Sequence, residues 1–239
     1  MGMPIVVDVR DEEVEEAVLD RMFDWLRWVD ATFSTFRADS EISRLNRGLL
    51  ALDDAHEHVR DVLARCEELR LETVGFFDVR AARPDAIDPS GLVKGWSIDR
   101  AATILDEAGM HDYAVNGGGD MCVRGRAVPE LCWRVGIQHP RERHQVAAVI
   151  EAGDLAIATS GAYARGAHVL DPRTRRPAEG GVLSVTVVGP DLGTADAYAT
   201  AAFAMGIAGP HWTARLRGYD AMTILADGTV YTTAGFPAA

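Results

Sequence analysis

The sequence predicts an α+β fold in which antiparallel β-sheets carry helices packed against them. Three observations lead there. Apolar residues recur at helical spacing early in the chain, as in Val14, Val18, Met22, Trp25, Leu26 and Val29. Short runs rich in β-branched residues crowd the second half, with residues 183–188 the richest. The glycine turn at Asn116-Gly117-Gly118-Gly119-Asp120 has no βαβ unit around it and is no GxGxxG fingerprint. The 239 residues are enough to bury a substantial core. Residues 1–239 read as a single two-lobed domain with a site between intimate lobes.

Taken in order, residues 5–9 alternate weakly and read as a strand. Asp11 is the expected cap of the first helix, whose acidic first turn suits a helix N-terminus. Asp39 or Ser40 caps a short helix through Asn46, and Gly48 ends it. Val59, Val62, Leu63, Cys66 and Leu69 mark a second long amphipathic helix. Residues 75–79 form a turn or strand, and residues 81–85 a polar connector. Residues 87–99 begin with Pro and Gly and continue as a helix whose buried stripe is Ile98, Ala101, Ala102, Leu105 and Ala108, with Gly109 as its C-cap. Strands follow at residues 113–115, 132–137, 146–150, 155–158 and 183–188. Thr194 is the expected cap of an alanine-rich helix. Asp227-Gly228 then joins strands 221–225 and 229–233 in a hairpin.

Composition narrows the functional classes. The chain is 48% hydrophobic and 25% charged, as soluble globular proteins are. Lys and Arg number 24 against 36 Asp and Glu, which argues against a nucleic-acid-binding face. Cys66, Cys122 and Cys132 form no CxxC pair, so neither a disulfide framework nor a thiolate metal site is expected. They read as reduced, mostly buried thiols. The N-terminus lacks a basic region followed by an apolar run, and no window approaches the roughly 18 apolar residues of a membrane span. A cytoplasmic protein with no membrane partner is expected.

Chemistry-bearing residues concentrate at residues 158–177. Thr159, Ser160, Arg165, His168, Asp171, Arg173, Arg175 and Arg176 lie within this one segment of a chain with a formal charge of −12. A local cationic patch on an acidic protein suits an anionic small ligand. Hydroxyls, a glycine turn and arginines together suit a phosphate. A solvated loop fits the same residues, and spacing leaves both readings open. Asp196 and Thr200 are four apart and share a helix face. They fit either a capping aspartate with a Thr bonded back to a carbonyl, or a hard-cation site. Lys94, expected near a helix start, could meet an anion together with backbone N–H groups.

The segments in series resemble the ApbE family, the FAD:protein FMN transferases, over nearly the whole chain. The resemblance rests on Met1-Gly2-Met3, Ser34-Thr35-Phe36, Ser40-Glu41-Ile42-Ser43 with Asn46, and Gly75-Phe76-Phe77-Asp78. It continues through Asp88, Lys94-Gly95 and Asp99, then Asn116-Gly117-Gly118-Gly119-Asp120 and Thr159-Ser160-Gly161. His168 with Asp171-Pro172-Arg173-Thr174, and Ala195-Asp196-Ala197 with Thr200, complete it. Met3 departs from the family's Met-Gly-Thr. Residues 78–88 and 161–168 are shorter than is usual, and the family's secretion signal is absent.

The resemblance implies an ApbE-like, T-fold-like architecture and FAD as the substrate. The enzyme would cut the FAD pyrophosphate, join FMN to a Ser or Thr of an acceptor flavoprotein and release AMP, with Mg²⁺ required. By position, Asp196 and Thr200 match side-chain metal ligands, the Gly91 carbonyl a third, and Ala199 a further contributing position. Phe36, Phe76, Phe77, Asp78, Asp88, Lys94 and Leu170 fall where the family contacts FAD. His168 falls on the base toward the acceptor hydroxyl, and Asp196 is counted with it as catalytic. A Mg²⁺-dependent FAD pyrophosphatase and a non-catalytic flavin-binding protein are the alternatives. Retention of Asp196, Thr200 and His168 counts against the second.

Overall fold

The structure is a computed structural model that describes residues 2–161, 169–178 and 181–239. Its centre is a seven-stranded antiparallel sheet in the order β1 (Ile5–Val9), β2 (Tyr113–Gly117), β3 (Asp120–Arg124), β7 (Leu155–Gly161), β10 (Val182–Gly189), β11 (Asp220–Leu225) and β12 (Val230–Thr232). Helices cover one face: α1 (Glu16–Phe33), α4 (Ser90–Glu107) and α5 (Leu192–Ala204), with α2 (Glu41–Asn46), α3 (Glu57–Glu72) and α6 (Gly209–Thr213) around them. A small sheet of β4 (Arg126–Val128), β5 (Leu131–Gln138) and β6 (Val146–Ala152) covers the other. Strands β8 (Leu170–Asp171) and β9 (Arg176–Pro177) make a separate hairpin.

The strand period of two divides the core between these layers. Ala156 and Ala158 of β7 pack with Leu192, Ala195 and Ala199 of α5 on the helix side. Ile157 between them packs with Trp133, Ile137 and Ile150 of the small sheet. A further cluster joins α1, α3 and α4 through Val29, Val59, Val62, Leu69, Leu92 and Val93. The α+β expectation and the antiparallel pairing hold throughout.

Several local expectations are corrected. Asp11 does not cap α1; Glu15 occupies that position without a side-chain bond. The Asp11 carboxylate instead accepts the His111 and Asp112 N–H groups, far along the chain. Val14 therefore precedes the helix and is exposed. Ser40, not Asp39, caps α2 by accepting the Ser43 N–H at 3.1 Å. Residues 75–79 form a turn, with Gly75 at φ +81°. Thr194 does not cap α5; Asp191 does, accepting the Thr194 N–H at 2.8 Å. The Thr194 hydroxyl instead accepts from Arg65 of α3 at 3.2 Å. Cys66 and Cys122 are buried but Cys132 is exposed. Burial pushes both buried thiols up to about 12, so they stay protonated and inert.

Gly109 ends α4 as expected, at φ +81°. Its N–H reaches Asp106 and the Met110 N–H reaches Leu105. Gly118 and Gly119, at φ +63° and +100°, form the two-residue turn between β2 and β3. Both central residues need positive φ there, as the favoured hairpin turns do.

Candidate functional site

Two helices and one strand build the site. Gly95 of α4 lies where a Cβ would stand 2.4 Å from the Leu192 carbonyl oxygen of α5. Gly193 makes the reciprocal approach, 3.2 Å from the Trp96 nitrogen. The two helices thus meet backbone to backbone, which only glycine permits.

The N-terminus of α5 is tied down by two carboxylates. Asp99 of α4 accepts the Leu192 and Gly193 N–H groups, each at 2.8 Å. Asp191 takes the Thr194 N–H, and its backbone carbonyl takes the Ala195 N–H at 3.2 Å. All four first-turn donors are therefore satisfied by protein oxygens. Burial outweighs the two N–H bonds at Asp99 and pushes its carboxyl up to about 6.

One turn further on, α5 presents Asp196, only 2% exposed. Lys94 of α4 brings its ammonium to 3.4 Å from Asp196 Oδ1 and into direct contact with Asp120 Oδ2. Asp120 is 1% exposed, and its other oxygen accepts the Thr159 N–H of β7 at 3.0 Å. Thr200, on the same face of α5 as Asp196, meets Ser160 of β7 with its hydroxyl at 3.2 Å. The structure thus brings Lys94, Asp196 and Thr200 together, with Gly91 one turn back along α4.

Asp120 and Ser160 complete the cluster. Ser160 is one of the hydroxyls the sequence offers to a phosphate, whereas Asp120 stands inside a recognisable motif without a role that spacing alone assigns. Strand alternation was the available signal: Ser160 follows Ala156 and Ala158 on the helix side of β7. Ala199 is fully buried against the sheet and offers only a methyl group, so any donor there is its backbone carbonyl. Lys94 is the fifth residue of α4, and its ammonium engages carboxylates, not an anion at the helix start.

The expected flavin contacts lie on the flanking loops. Phe36 is 97% exposed, on a loop whose Phe36 and Arg37 N–H groups both bond Ser34 Oγ. Phe76 is half-buried with the Arg173 guanidinium 4.3 Å above its ring. Arg173 in turn binds Asp171 of the hairpin that carries Leu170. Phe77 is buried beneath Gly91. Asp78 accepts the Arg80 N–H, and Asp88 the Ser90 N–H at the start of α4. His168 and Arg165 lie outside the described residues. Among those described, the expected cationic patch is partly self-neutralised, because Arg173 is spent on Asp171.

The donor set suits a hard cation. Mg²⁺ takes one or two carboxylates and fills its shell with other oxygens and substrate phosphates. Here two buried carboxylates face one ammonium, and the paired Thr200 and Ser160 hydroxyls lie one turn further along α5. No three His, Cys, Asp or Glu converge on a metal position among the described residues.

The fold and this junction define the class: an α+β protein whose helix pair is glycine-locked over an antiparallel sheet. The same architecture is found in the flavin transferase ApbE from Vibrio cholerae, with TM-score 0.87 and 25% identity over 99% of this chain and 95% of that one. The ApbE protein from Thermotoga maritima shares the fold at TM-score 0.82 and 21% identity, covering 97% of each chain. Among sequence relatives, the FAD:protein FMN transferase of V. cholerae is 29% identical, spanning 83% of this chain and 75% of the relative. That of Escherichia coli K12 is 33% identical over 62% of this chain, which spans only 44% of the relative. The pattern of the ApbE family matches residues 1–84 and 80–223. The chain belongs to the ApbE family.

Proposed function

We propose that this chain is a Mg²⁺-dependent FAD:protein FMN transferase. The observation that carries the reading is the junction of α4, α5 and β7, where Lys94, Asp120, Asp196, Ser160 and Thr200 converge. Family membership supplies the substrate class, and the names of its relatives supply the transfer.

In this reading Asp196 and Thr200 hold the metal with the Gly91 carbonyl, and the Ala199 carbonyl contributes. A bound Mg²⁺ supplies positive charge against the FAD diphosphate and the phosphate of departing AMP. Lys94 adds a second charge on the same side, in a site dry enough to strengthen both. Phe36 and Phe76 flank the flavin, and Phe77 is buried in the cluster against which Phe76 packs. Asp78, Asp88 and Leu170 line the pocket. His168 takes the proton of the acceptor Ser or Thr hydroxyl, because that oxygen is a poor nucleophile until a base stands beside it. The hydroxyl oxygen forms a bond to the FMN phosphorus, the pyrophosphate P–O bond breaks, and AMP leaves with the electron pair. The acceptor is a flavoprotein presenting that hydroxyl. A cytoplasmic setting remains part of the proposal; no helix among the described residues is long and apolar enough to cross a membrane.

The test is incubation with FAD, Mg²⁺ and a candidate acceptor, followed by intact-mass measurement and AMP assay. Acceptor mass rising by one phosphoester-linked FMN, with equimolar AMP, is expected. AMP release with an unmodified acceptor would replace transfer by hydrolysis. No AMP under either condition would leave flavin binding alone.

A further inference from the structure

The two candidate side-chain ligands of the metal each already have a partner within the protein. Asp196 Oδ1 faces Lys94 Nζ at 3.4 Å, and Thr200 Oγ1 faces Ser160 Oγ at 3.2 Å. Both contacts are long for their kind, since charge-assisted bonds run near 2.7–2.9 Å and hydroxyl pairs near 2.7–2.8 Å. By contrast, Lys94 meets Asp120 in direct contact, and Asp120 is fixed from behind by the Thr159 N–H. The ammonium is therefore held firmly by Asp120 and loosely by Asp196.

Lys94 is also the only lysine in the chain; the other 23 of its 24 cationic side chains are arginine. A lysine differs from an arginine in carrying a compact charge on a flexible four-carbon stem, without a planar fork locked to one carboxylate. At a position where a cation must be able to move, that difference matters. The Lys94 side chain is 20% exposed, against 2% and 3% for its two carboxylate partners, so it is the member of the trio nearest the edge of the site.

We propose that Lys94 and a divalent cation are alternative counter-ions of Asp196, with Asp120 retaining the displaced ammonium at the edge of the site. This rests on the metal assignment above. The cluster turns from net negative to net positive: the ammonium serves Asp120 and Asp196 together until a divalent ion takes Asp196, after which Asp120 alone holds it. Relieved of Asp196 but kept by Asp120, the ammonium then adds to the positive field toward the anionic ligand, so metal entry and a cationic contact for phosphate are coupled. A ligand of dense negative charge, a diphosphate, is what this coupled pair of charges fits.

The single lysine makes the test direct. Protein labelled with ¹⁵N-lysine gives one side-chain ammonium signal, from Lys94. Titration with Mg²⁺ alone, with no flavin present, is expected to shift or exchange-broaden that signal in step with the binding isotherm from calorimetry. Lys94→Met is expected to bind Mn²⁺ about tenfold more tightly than wild type, because a neighbouring positive charge has gone. Lys94→Arg, which keeps the charge, should show no such gain. If Lys94→Met folds only when Mn²⁺ is supplied, that rescue also supports the exchange. Metal binding that leaves the lysine signal unmoved would overturn the exchange and leave the transfer reading intact. No metal binding by wild type at millimolar concentration would overturn the metal assignment and the exchange with it.

Discussion

Gly95 and Leu192 are in backbone contact: a Cβ at position 95 would stand 2.4 Å from the Leu192 carbonyl oxygen and 2.6 Å from its carbon. The obstacle is main chain at the start of α5, not the tip of a side chain, so it has no rotamer by which to yield. The contact sets how far Lys94, next to Gly95, stands from Asp196, one turn into α5.

Gly95→Ala should accordingly force α4 and α5 apart. Overpacking of this kind costs about 3 kcal/mol, which a lowered urea midpoint at unchanged slope would report. Turnover should fall beyond what the loss of folded protein explains, because the Lys94–Asp196 distance changes with the helix spacing. Wild-type stability in Gly95→Ala would mean that the helices are not locked as described.

Asp99 predicts a pH dependence. Its carboxyl is pushed up to about 6 by burial, from the ordinary aspartate value of 3.8. Between those values the folded protein keeps a proton that the unfolded chain has released. The stability from this group is thus fully present below pH 3.8 and is lost as pH rises through about 6. The loss amounts to no more than about 3 kcal/mol. Asp99→Asn has no such proton to lose. The stability of wild type minus that of Asp99→Asn should fall between pH 4 and 6 and stay level above; a level difference throughout would contradict the assigned shift.

Phe36 and Phe77 should separate cleanly. Phe36 is 97% exposed and Phe77 4%. Phe36→Ala should change stability by less than about 0.5 kcal/mol and yet raise the KM for FAD about fivefold, if an aromatic contact to the flavin is lost. Phe77→Ala should cost about 3 kcal/mol or more of stability. An unchanged KM in Phe36→Ala, by steady-state AMP release, would remove Phe36 from the flavin site.

Much of this was readable in the chain, for physical reasons. The stripes of α3 and α4 reflect burial against a neighbouring layer, which their period reveals; β10, buried along nearly its whole length, was legible from its β-branched residues instead. The αL glycines at 109, 118 and 119 were equally legible, because few other residues tolerate the backbone they adopt. Cap residues were not: Asp11 and Thr194 look like caps by position, but their polar groups are claimed by His111 and Asp112 and by Arg65. Such long-range competition leaves no local mark. Asp120 was hidden for a similar reason. The glycines before it account for the turn, whereas its role comes from Lys94 and Thr159, on two other elements.

Asp196→Asn tests the candidate metal centre with the least disturbance. The amide is nearly isosteric with the carboxylate, and Lys94 keeps Asp120 as its counter-ion, so no buried charge is orphaned. The variant should fold with a melting temperature close to that of wild type. Mg²⁺-dependent AMP release should drop about a hundredfold or more, the scale at which a lost electrostatic stabiliser acts. Chelation of divalent ions should bring wild type down to the same residual rate and leave the variant unaffected. If Asp196→Asn retained Mg²⁺-dependent turnover, Asp196 would be a structural partner of Lys94, and the cation would have to sit elsewhere.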